Sequence, residues 1–331
     1  MKKSLTVVGE INTGHFGDLE LAFEAIKRAK DAGLDVIKFQ SWAPESLFTQ
    51  RHLLQNRIEA GLYKKFALDS SKLRDIAEYC SNVGIGFSST PYSNDEVDQL
   101  AQIVNLAFIK VASMDLTNYP FLDHICQTEL PIVLSTGMGS HIEISRSIER
   151  VLSKTRQPLT VLHCTSLYPT DDNVANLSNI TMLKDSFPDV NVGFSDHTLG
   201  IEAGVVAASL GATLLEKHFT TNKTKIGFDN AMALSLAEIE AYVSAARRAV
   251  SLLGVYDREL TSAEEEQKEK MRRSAFLKRP VAAGELLTQE LIEFKRPGTG
   301  LDPSAIEPLL GRVFNVSLQE GDQLIAEQLS N

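Results

Sequence analysis

Short hydrophobic runs rich in β-branched residues alternate along the chain with longer segments in which apolar residues recur at helical spacing. The short runs predict strands at Leu5–Glu10, Val36–Gln40, Gly86–Ser89, Phe108–Val111, Pro131–Ser135, Leu159–Cys164, Asn191–Ser195 and Leu214–His218. The longer segments predict helices at Leu19–Ala32, Ser71–Val83, Asn94–Ile103, Phe121–Thr128, His141–Leu152, Leu177–Phe187, Ile201–Leu210 and Leu236–Leu253. This alternation predicts an α/β fold, a (β/α)8 TIM barrel. A doubly wound open sheet is the alternative, but no GxGxxG motif follows the first strand.

The pattern changes after Leu253. Residues 257–273 are highly charged and predict a solvated linker with some helix. From Ser274 onward, short apolar runs alternate with glycines and prolines, which predicts a small β-rich domain over 274–331 after a catalytic barrel over 1–256. A domain of this size buries little core alone, so we expect it to be stabilised by docking.

Composition and charge narrow the class of protein. The 331 residues are 43% hydrophobic and 23% charged, which is typical of a globular protein. The net charge of −10 argues against a nucleic-acid surface, but it leaves room for a local basic pocket. No apolar run is long enough for a membrane span, and the pattern of the first residues leads us to expect a strand there and not a secretory signal. Three widely spaced cysteines favour free thiols in a reducing cytoplasm, where we expect the protein to act.

Polar side chains stand at nearly every predicted strand end. In a barrel this end carries the chemistry, and residues two apart on a strand share a face. Lys38 and Lys110 are suited to a phosphate and a carboxylate, and the hydroxyls of Thr90, Ser113 and Ser195 can complete an anion site.

His197 and His218 end adjacent predicted strands, so their imidazoles can converge on one ion. Oxygen ligands from substrate and water would complete such a site, which favours Mn²⁺ or another divalent ion such as Mg²⁺ or Co²⁺ over a closed zinc site. The remaining histidines are expected to be structural: His15, His52, His124 and His141.

Ordered motifs covering nearly the whole chain resemble the N-acetylneuraminate (sialic acid) synthase family: VIKFQ, SSTPYS, IKVASMDLTNYP, PIVLSTGM, LHCTSLYPT, VGFSDHTLG, LEKHFT and KRPGTGLDP. The resemblance implies a barrel followed by an antifreeze-like (SAF) domain, with phosphoenolpyruvate as substrate and a divalent metal as cofactor.

The resemblance also implies roles for particular residues. It places phosphoenolpyruvate among Lys38, Thr90, Lys110, Ser113, Ser166, Ser195 and His197, and the metal on His197 and His218. It places the sugar or its aldehyde near Glu10, Gln40, Asp115, Tyr168 and Asp229. It further implies a domain-swapped homodimer, in which Arg296 of the small domain reaches the sugar in the partner's barrel.

Departures from the family pattern lie where the sugar would bind. The first loop is GEINTGHFGD in place of an Asn-His-Asn-Gly run, Asp115 stands for a usual Glu, and GFDNAMAL replaces a Gly-Pro-Asp stretch. They leave the acceptor open between N-acetylmannosamine, our first choice, and a 6-deoxy diamino sugar leading to legionaminic or pseudaminic acid.

The implied reaction joins C3 of phosphoenolpyruvate to the aldehyde of an open-chain amino sugar, with water attack at C2 and loss of phosphate. Glu10 or Asp115 would move the proton, and the sequence does not choose between them. The rival hypotheses are a Schiff-base aldolase using Lys38 or Lys110, and a non-catalytic carbohydrate-binding protein.

Overall fold

The computed structural model describes residues 5–225, 227–255 and 257–330. The predicted domain limits at residues 1, 256 and 331 lie outside these described residues. The chain divides into two compact units, Met1–Val255 and Tyr256–Asn331.

In the first unit the strands form a closed parallel barrel in sequential order, and β1 pairs with β8 to complete it. Its strands are β1 (Thr6–Glu10), β2 (Val36–Ser41), β3 (Gly86–Pro91), β4 (Leu106–Val111), β5 (Ile132–Ser135), β6 (Leu159–Cys164), β7 (Asn191–Asp196) and β8 (Leu214–His218). The predicted TIM barrel is therefore confirmed, and the predicted strands lie within a few residues of these bounds.

Helices surround the barrel: α1 (Leu19–Asp31), α2 (Pro44–Leu47), α3 (Gln50–Gln55), α4 (Arg57–Phe66), α5 (Ser70–Val83), α6 (Asn94–Ala101), α7 (Tyr119–Cys126), α8 (His141–Lys154), α9 (Asn179–Ser186), α10 (Glu202–Ser209) and α11 (Leu236–Leu253). The N-cap of α1 is Asp18, whose side chain accepts hydrogen bonds from the backbone N–H groups of Glu20 and Leu21. The C-cap of α5 is Gly84, which adopts φ 76° and terminates the helix in a left-handed turn.

The helices α2, α3 and α4 between β2 and α5 were missed by the sequence analysis. They are 4, 6 and 10 residues long and each buries at most one residue, so each offers only a short stretch of pattern to read. They extend the loop that follows β2, at the end of the barrel where the strands terminate.

The second unit has α12 (Ser262–Met271) and antiparallel pairs of β9 (Ser274–Leu277) with β10 (Ile292–Lys295) and β11 (Val313–Phe314) with β12 (Leu329–Ser330). Its core is a compact apolar cluster that includes Leu277, Leu287, Phe314 and Leu324. The segment that we expected to be a solvated linker contains α12, and this helix belongs to the second unit. The backbone N–H of Gly298 donates a hydrogen bond to the carbonyl of Glu269, 2.7 Å away.

Over the ranges that the structure describes, no helix is both long and apolar enough to cross a bilayer.

Candidate active site

The barrel interior changes from apolar to polar along the strand direction. Its lower layer is an apolar plug formed by Val8, Val36, Phe108, Val133, Leu162 and Leu214. Two residues further along the same strands, on the same face, the interior is polar: Glu10, Lys38, Lys110, Ser135, Cys164 and Glu216. Because a charge is costly to bury without a partner, this layer must pair its charges or bind a ligand.

A cavity of about 80 Å³ lies above the polar layer, at the carboxyl ends of the strands. It brings together most of the residues that the sequence analysis singled out: Glu10, Lys38, Gln40, Thr90, Lys110, Ser113, Tyr168, Ser195, His197, His218 and Asp229. They come from all parts of the barrel, so closure of the sheet is what gathers them.

Buried charges of both signs meet at the base of this cavity. Lys38 forms an ion pair with Glu10, and its Nζ lies 3.8 Å from Oε1 of Glu216 and 3.0 Å from the Thr90 hydroxyl. The Nζ atom of Lys110 lies 3.8 Å from the same Glu216 oxygen and donates to the Ser135 hydroxyl at 2.7 Å. Glu216 therefore stands between two ammonium groups, each less than 5% exposed.

The two carboxyl groups differ in acidity. Burial raises the pKa of Glu10 above its usual range, and the nearby Glu216 adds to this effect against the opposing charge of Lys38. Burial also raises the pKa of Glu216, but Lys110 and Lys38 outweigh it and lower the value overall. Glu10 is therefore the more readily protonated of the pair, as a group that exchanges a proton requires.

The two ammonium groups differ as well. Burial lowers the pKa of Lys110. Burial acts in the same direction on Lys38, but its carboxylate neighbours Glu10 and Glu216 raise the pKa overall. Lys38 is thus held firmly as a cation, whereas the charge on Lys110 depends more on what binds beside it.

The imidazoles of His197 and His218 lie side by side, with ring centroids 5.6 Å apart. Nδ1 of His197 lies 3.0 Å from the carbonyl of Thr165, which can only accept, so Nδ1 carries the proton and the lone pair of the neutral ring is on Nε2. Burial lowers the pKa of His218 well below its usual value, which keeps that ring neutral and able to bind a cation.

These histidines fit a divalent metal that is completed by ligands from outside the protein. Burial alone would lower the pKa of His197, but Cys164, the carbonyl of Thr165 and Glu216 outweigh burial and raise the pKa overall. Surroundings that stabilise a proton on this ring also stabilise a metal cation bound to it. Among the described residues, no cluster of three or more His, Cys, Asp or Glu side chains is placed to hold a metal ion. Oxygen atoms of substrate and water would fill the remaining positions.

A wider antechamber of about 470 Å³ leads into the cavity and shares Gln40, Tyr92, Ser113, Tyr168 and Asp229 with it. Its other walls are largely apolar: Trp42, Leu47, Tyr63, Met114, Met138 and Phe228. Of the described residues that line it, none is Lys, Arg or His.

Aromatic contacts connect the segment after β2 with the loop after β8 along the antechamber. Tyr63 of α4 packs against Phe228, which follows β8, with ring centroids 4.6 Å apart. The indole of Trp42 donates to the carbonyl of Tyr63 at 3.2 Å. The helices after β2 and the loop after β8 thus form one wall.

Ser166, Asp115 and Arg296 differ in placement from the other predicted site residues. Ser166 lines the antechamber and not the inner cavity. Asp115 is absent from both sets of described lining residues, and its Oδ1 accepts a hydrogen bond from Asn118 at 2.9 Å. Arg296 directly follows β10 in the second unit.

Several residues of the site had no role assigned to them from the sequence. Glu216 lies two residues before His218 on the same strand face, so alternation was a signal that it enters the barrel. Tyr92 follows β3 directly, and its hydroxyl donates to Gln40 Oε1 at 2.9 Å. Nothing in the sequence marked the wall residues Trp42, Tyr63 and Phe228, because large aromatic side chains more often pack in a core than line a binding site.

Comparison with known proteins decides the family. A model described as the NeuB family matches residues 25–258, and one described as the SAF domain matches residues 272–330. The chain belongs to the NeuB family. The resemblance to the N-acetylneuraminate synthase family is thereby confirmed, and so is the antifreeze-like domain at the carboxyl end.

Relatives in the NeuB family carry several product names. The chain is 32% identical to N,N'-diacetyllegionaminic acid synthase of Campylobacter jejuni, covering 99% of this chain and 100% of the relative. It is 33% identical to pseudaminic acid synthase of the same species, covering 97% and 96%. A crystal structure of N-acetylneuraminic acid synthetase from Leptospira borgpetersenii in complex with citrate is 30% identical, with a TM-score of 0.75 over 80% of this chain and 90% of that one. The NeuB family thus spans sialic, legionaminic and pseudaminic acid synthases.

Proposed function

We propose that this protein condenses phosphoenolpyruvate with the aldehyde of an N-acetylated amino sugar and releases phosphate, as a C–C bond-forming transferase. The observation that carries the proposal is the cavity in which Lys38 and Lys110 lie buried beside Glu10 and Glu216. Such a site binds a small polyanion and also holds a proton-exchanging group. C3 of phosphoenolpyruvate bonds to the aldehyde carbon, water adds at C2, and phosphate leaves. Phosphoenolpyruvate is a metabolic intermediate, so we place the protein in the cytoplasm.

In this proposal the chain's own residues bind and orient phosphoenolpyruvate and move a proton. The ammonium groups of Lys38 and Lys110 hold the phosphate and carboxylate of phosphoenolpyruvate, and the hydroxyls of Thr90, Ser113 and Ser195 complete their coordination. Glu10 exchanges the proton, because it lines the cavity and its pKa is raised by burial. Asp115 does not line the cavity and is the weaker candidate for this role.

His197 and His218 would hold a divalent ion, for which Mn²⁺ is our first choice over Mg²⁺ and Co²⁺. When bound, the ion supplies Lewis-acid polarisation of the aldehyde oxygen. Tyr168 packs its ring against that of His197, with centroids 4.2 Å apart, and so shields this side of the cavity.

The antechamber favours one class of acceptor. Its apolar wall of Trp42, Tyr63 and Phe228 suits methyl and acetamido groups. Within the antechamber of a single chain, a phosphorylated sugar would meet Asp229 and no lining cation among the described residues. We therefore propose an uncharged 6-deoxy sugar with two acylated amino groups, leading to legionaminic or pseudaminic acid, ahead of N-acetylmannosamine.

A phosphate-release assay tests both parts of the proposal. The purified full-length protein is incubated with Mn²⁺, phosphoenolpyruvate and, in turn, N-acetylmannosamine, its 6-phosphate and 6-deoxy diacetamido hexoses. We expect phosphate release with one of the uncharged sugars and the highest kcat/KM with a 6-deoxy acceptor. Absence of release with every sugar would refute the condensation, and a preference for the 6-phosphate would refute the acceptor assignment.

The lowered pKa of Lys110 is the observation that keeps a Schiff-base aldolase as a second candidate. Incubation with pyruvate and borohydride distinguishes the mechanisms. We expect no mass increase on the chain, whereas covalent labelling that is lost in Lys110→Ala would favour the aldolase.

The family resemblance further supports a homodimer in which Arg296 completes the partner's site. Mixing Arg296→Ala chains with Lys110→Ala chains should then restore activity, because one of the two composite sites in the heterodimer is intact. No recovery after demonstrated subunit exchange would refute the composite site.

A further inference from the structure

Asn12 lies in the loop after β1 in an uncommon backbone conformation. Its φ is 45°, in the left-handed region, and its side chain is buried at 4% exposure. Glycine would adopt this conformation with less strain, so the side chain is what asparagine adds at this position.

The backbone and the side chain of Asn12 each donate a hydrogen bond to a different carboxylate. Its backbone N–H donates to Oε1 of Glu10 at 2.5 Å. Its side-chain Nδ2 donates to Oδ2 of Asp229 at 2.7 Å. Asn12 thus connects the loop after β1 to the loop after β8. A second hydrogen bond connects the same loops, because the hydroxyl of Thr13 donates to the carbonyl of Phe228 at 3.3 Å.

Asp229 stands at the junction that the acceptor must occupy. It lines both the inner cavity and the antechamber, whereas Glu10 lines only the inner cavity. Asp229 also has a left-handed backbone, with φ 54°, and its carboxylate accepts the hydrogen bond from the Asn12 side chain. Without that hydrogen bond the carboxylate would be free to turn away from the cavity.

We propose that Asn12 is a positioning residue for the acceptor sugar, because its side chain fixes the carboxylate of Asp229 at the entrance to the cavity while its backbone N–H independently fixes Glu10. The inference rests on the proposed function. It assigns acceptor binding to the side chain of Asn12, whereas the backbone N–H of Asn12 holds Glu10, the proposed proton-exchanging group.

The substitution Asn12→Gly separates the effect of the side-chain hydrogen bond from that of the backbone hydrogen bond. Glycine accepts the left-handed backbone and keeps the N–H bond to Glu10, but it removes the bond to Asp229. Asn105→Gly is the matched control, because Asn105 is also left-handed, with φ 65°, and is exposed just before β4, at the opposite end of the barrel. Asn12→Asp is the second variant, since it keeps size and backbone preference while placing a carboxylate against Asp229.

Steady-state kinetics are measured for each variant with the best acceptor found for the wild type. For Asn12→Gly we expect the KM of the acceptor to rise about tenfold, as for loss of a hydrogen bond to a charged group, with the KM of phosphoenolpyruvate within about twofold of wild type. Asn12→Asp should raise the acceptor KM at least as much, and Asn105→Gly should leave both constants unchanged.

An acceptor KM in Asn12→Gly equal to that in Asn105→Gly would overturn the inference. Equal increases in the KM of the acceptor and of phosphoenolpyruvate would also overturn it, because they indicate a general structural role. Both comparisons require a wild-type enzyme with measurable phosphate release. A wild type that releases no phosphate with any acceptor refutes the proposed function instead.

Discussion

A buried ion pair on the outer face of the barrel supports the two histidines, and its removal gives a quantitative prediction. Asp196 and Lys217 precede His197 and His218 on adjacent strands, and the pair is 3.0 Å apart at 0% and 1% side-chain exposure. Oδ1 of Asp196 also accepts from the backbone N–H and the hydroxyl of Thr198, and Lys217 donates to the carbonyl of Thr198 at 2.6 Å. The backbone on both sides of His197 is thus fixed.

We predict that Lys217→Met destabilises the barrel strongly. The variant leaves the carboxylate of Asp196 buried without its cation, which costs about 3–5 kcal/mol. For a unit of the size of Met1–Val255, each kcal/mol lowers the melting temperature by about 2–4 °C, so we expect a fall of roughly 6–20 °C.

Thermal unfolding followed by circular dichroism at 222 nm measures this effect, with two control variants. Asp196→Asn combined with Lys217→Met removes both charges and should recover much of the lost stability. Arg247→Met breaks the exposed pair with Asp35, whose side chains are 43% and 40% exposed, and should cost less than about 1 kcal/mol. Lys217→Met melting within 2 °C of wild type, or a double variant less stable than the single one, would refute the reasoning.

The remaining predictions concern the reaction. EDTA should abolish turnover and Mn²⁺ should restore it, and calorimetric titration should show Mn²⁺ binding to the wild type but not to His218→Ala; normal binding by that variant would contradict the site. Lys38→Ala and Lys110→Ala should each raise the KM of phosphoenolpyruvate by tenfold to a hundredfold, or about 1.5–3 kcal/mol, with little change in the acceptor KM. Glu10→Gln should lower kcat by about 10²-fold or more while Asp115→Asn lowers it much less, and the reverse order would move the proton transfer to Asp115.

The sequence determined the barrel because its information is local. Strand and helix periods alternate along the chain, and the eight strands lie within a few residues of their predicted bounds. Alternation along a strand also placed Lys38, His197 and His218 on the interior face without knowledge of the neighbouring strands. The family motifs then indicated the chemistry.

Only the tertiary structure decided which polar groups meet. Pairing of β1 with β8 brings Asn12 to Asp229 across a separation of 217 residues, and no local period encodes that contact. The same closure sets Glu216 between Lys38 and Lys110, and this arrangement makes Glu10 the more readily protonated carboxyl group. Asp115 and Glu10 are equivalent in sequence as acids at strand ends. They differ in the fold because one side chain enters the cavity and the other turns toward Asn118.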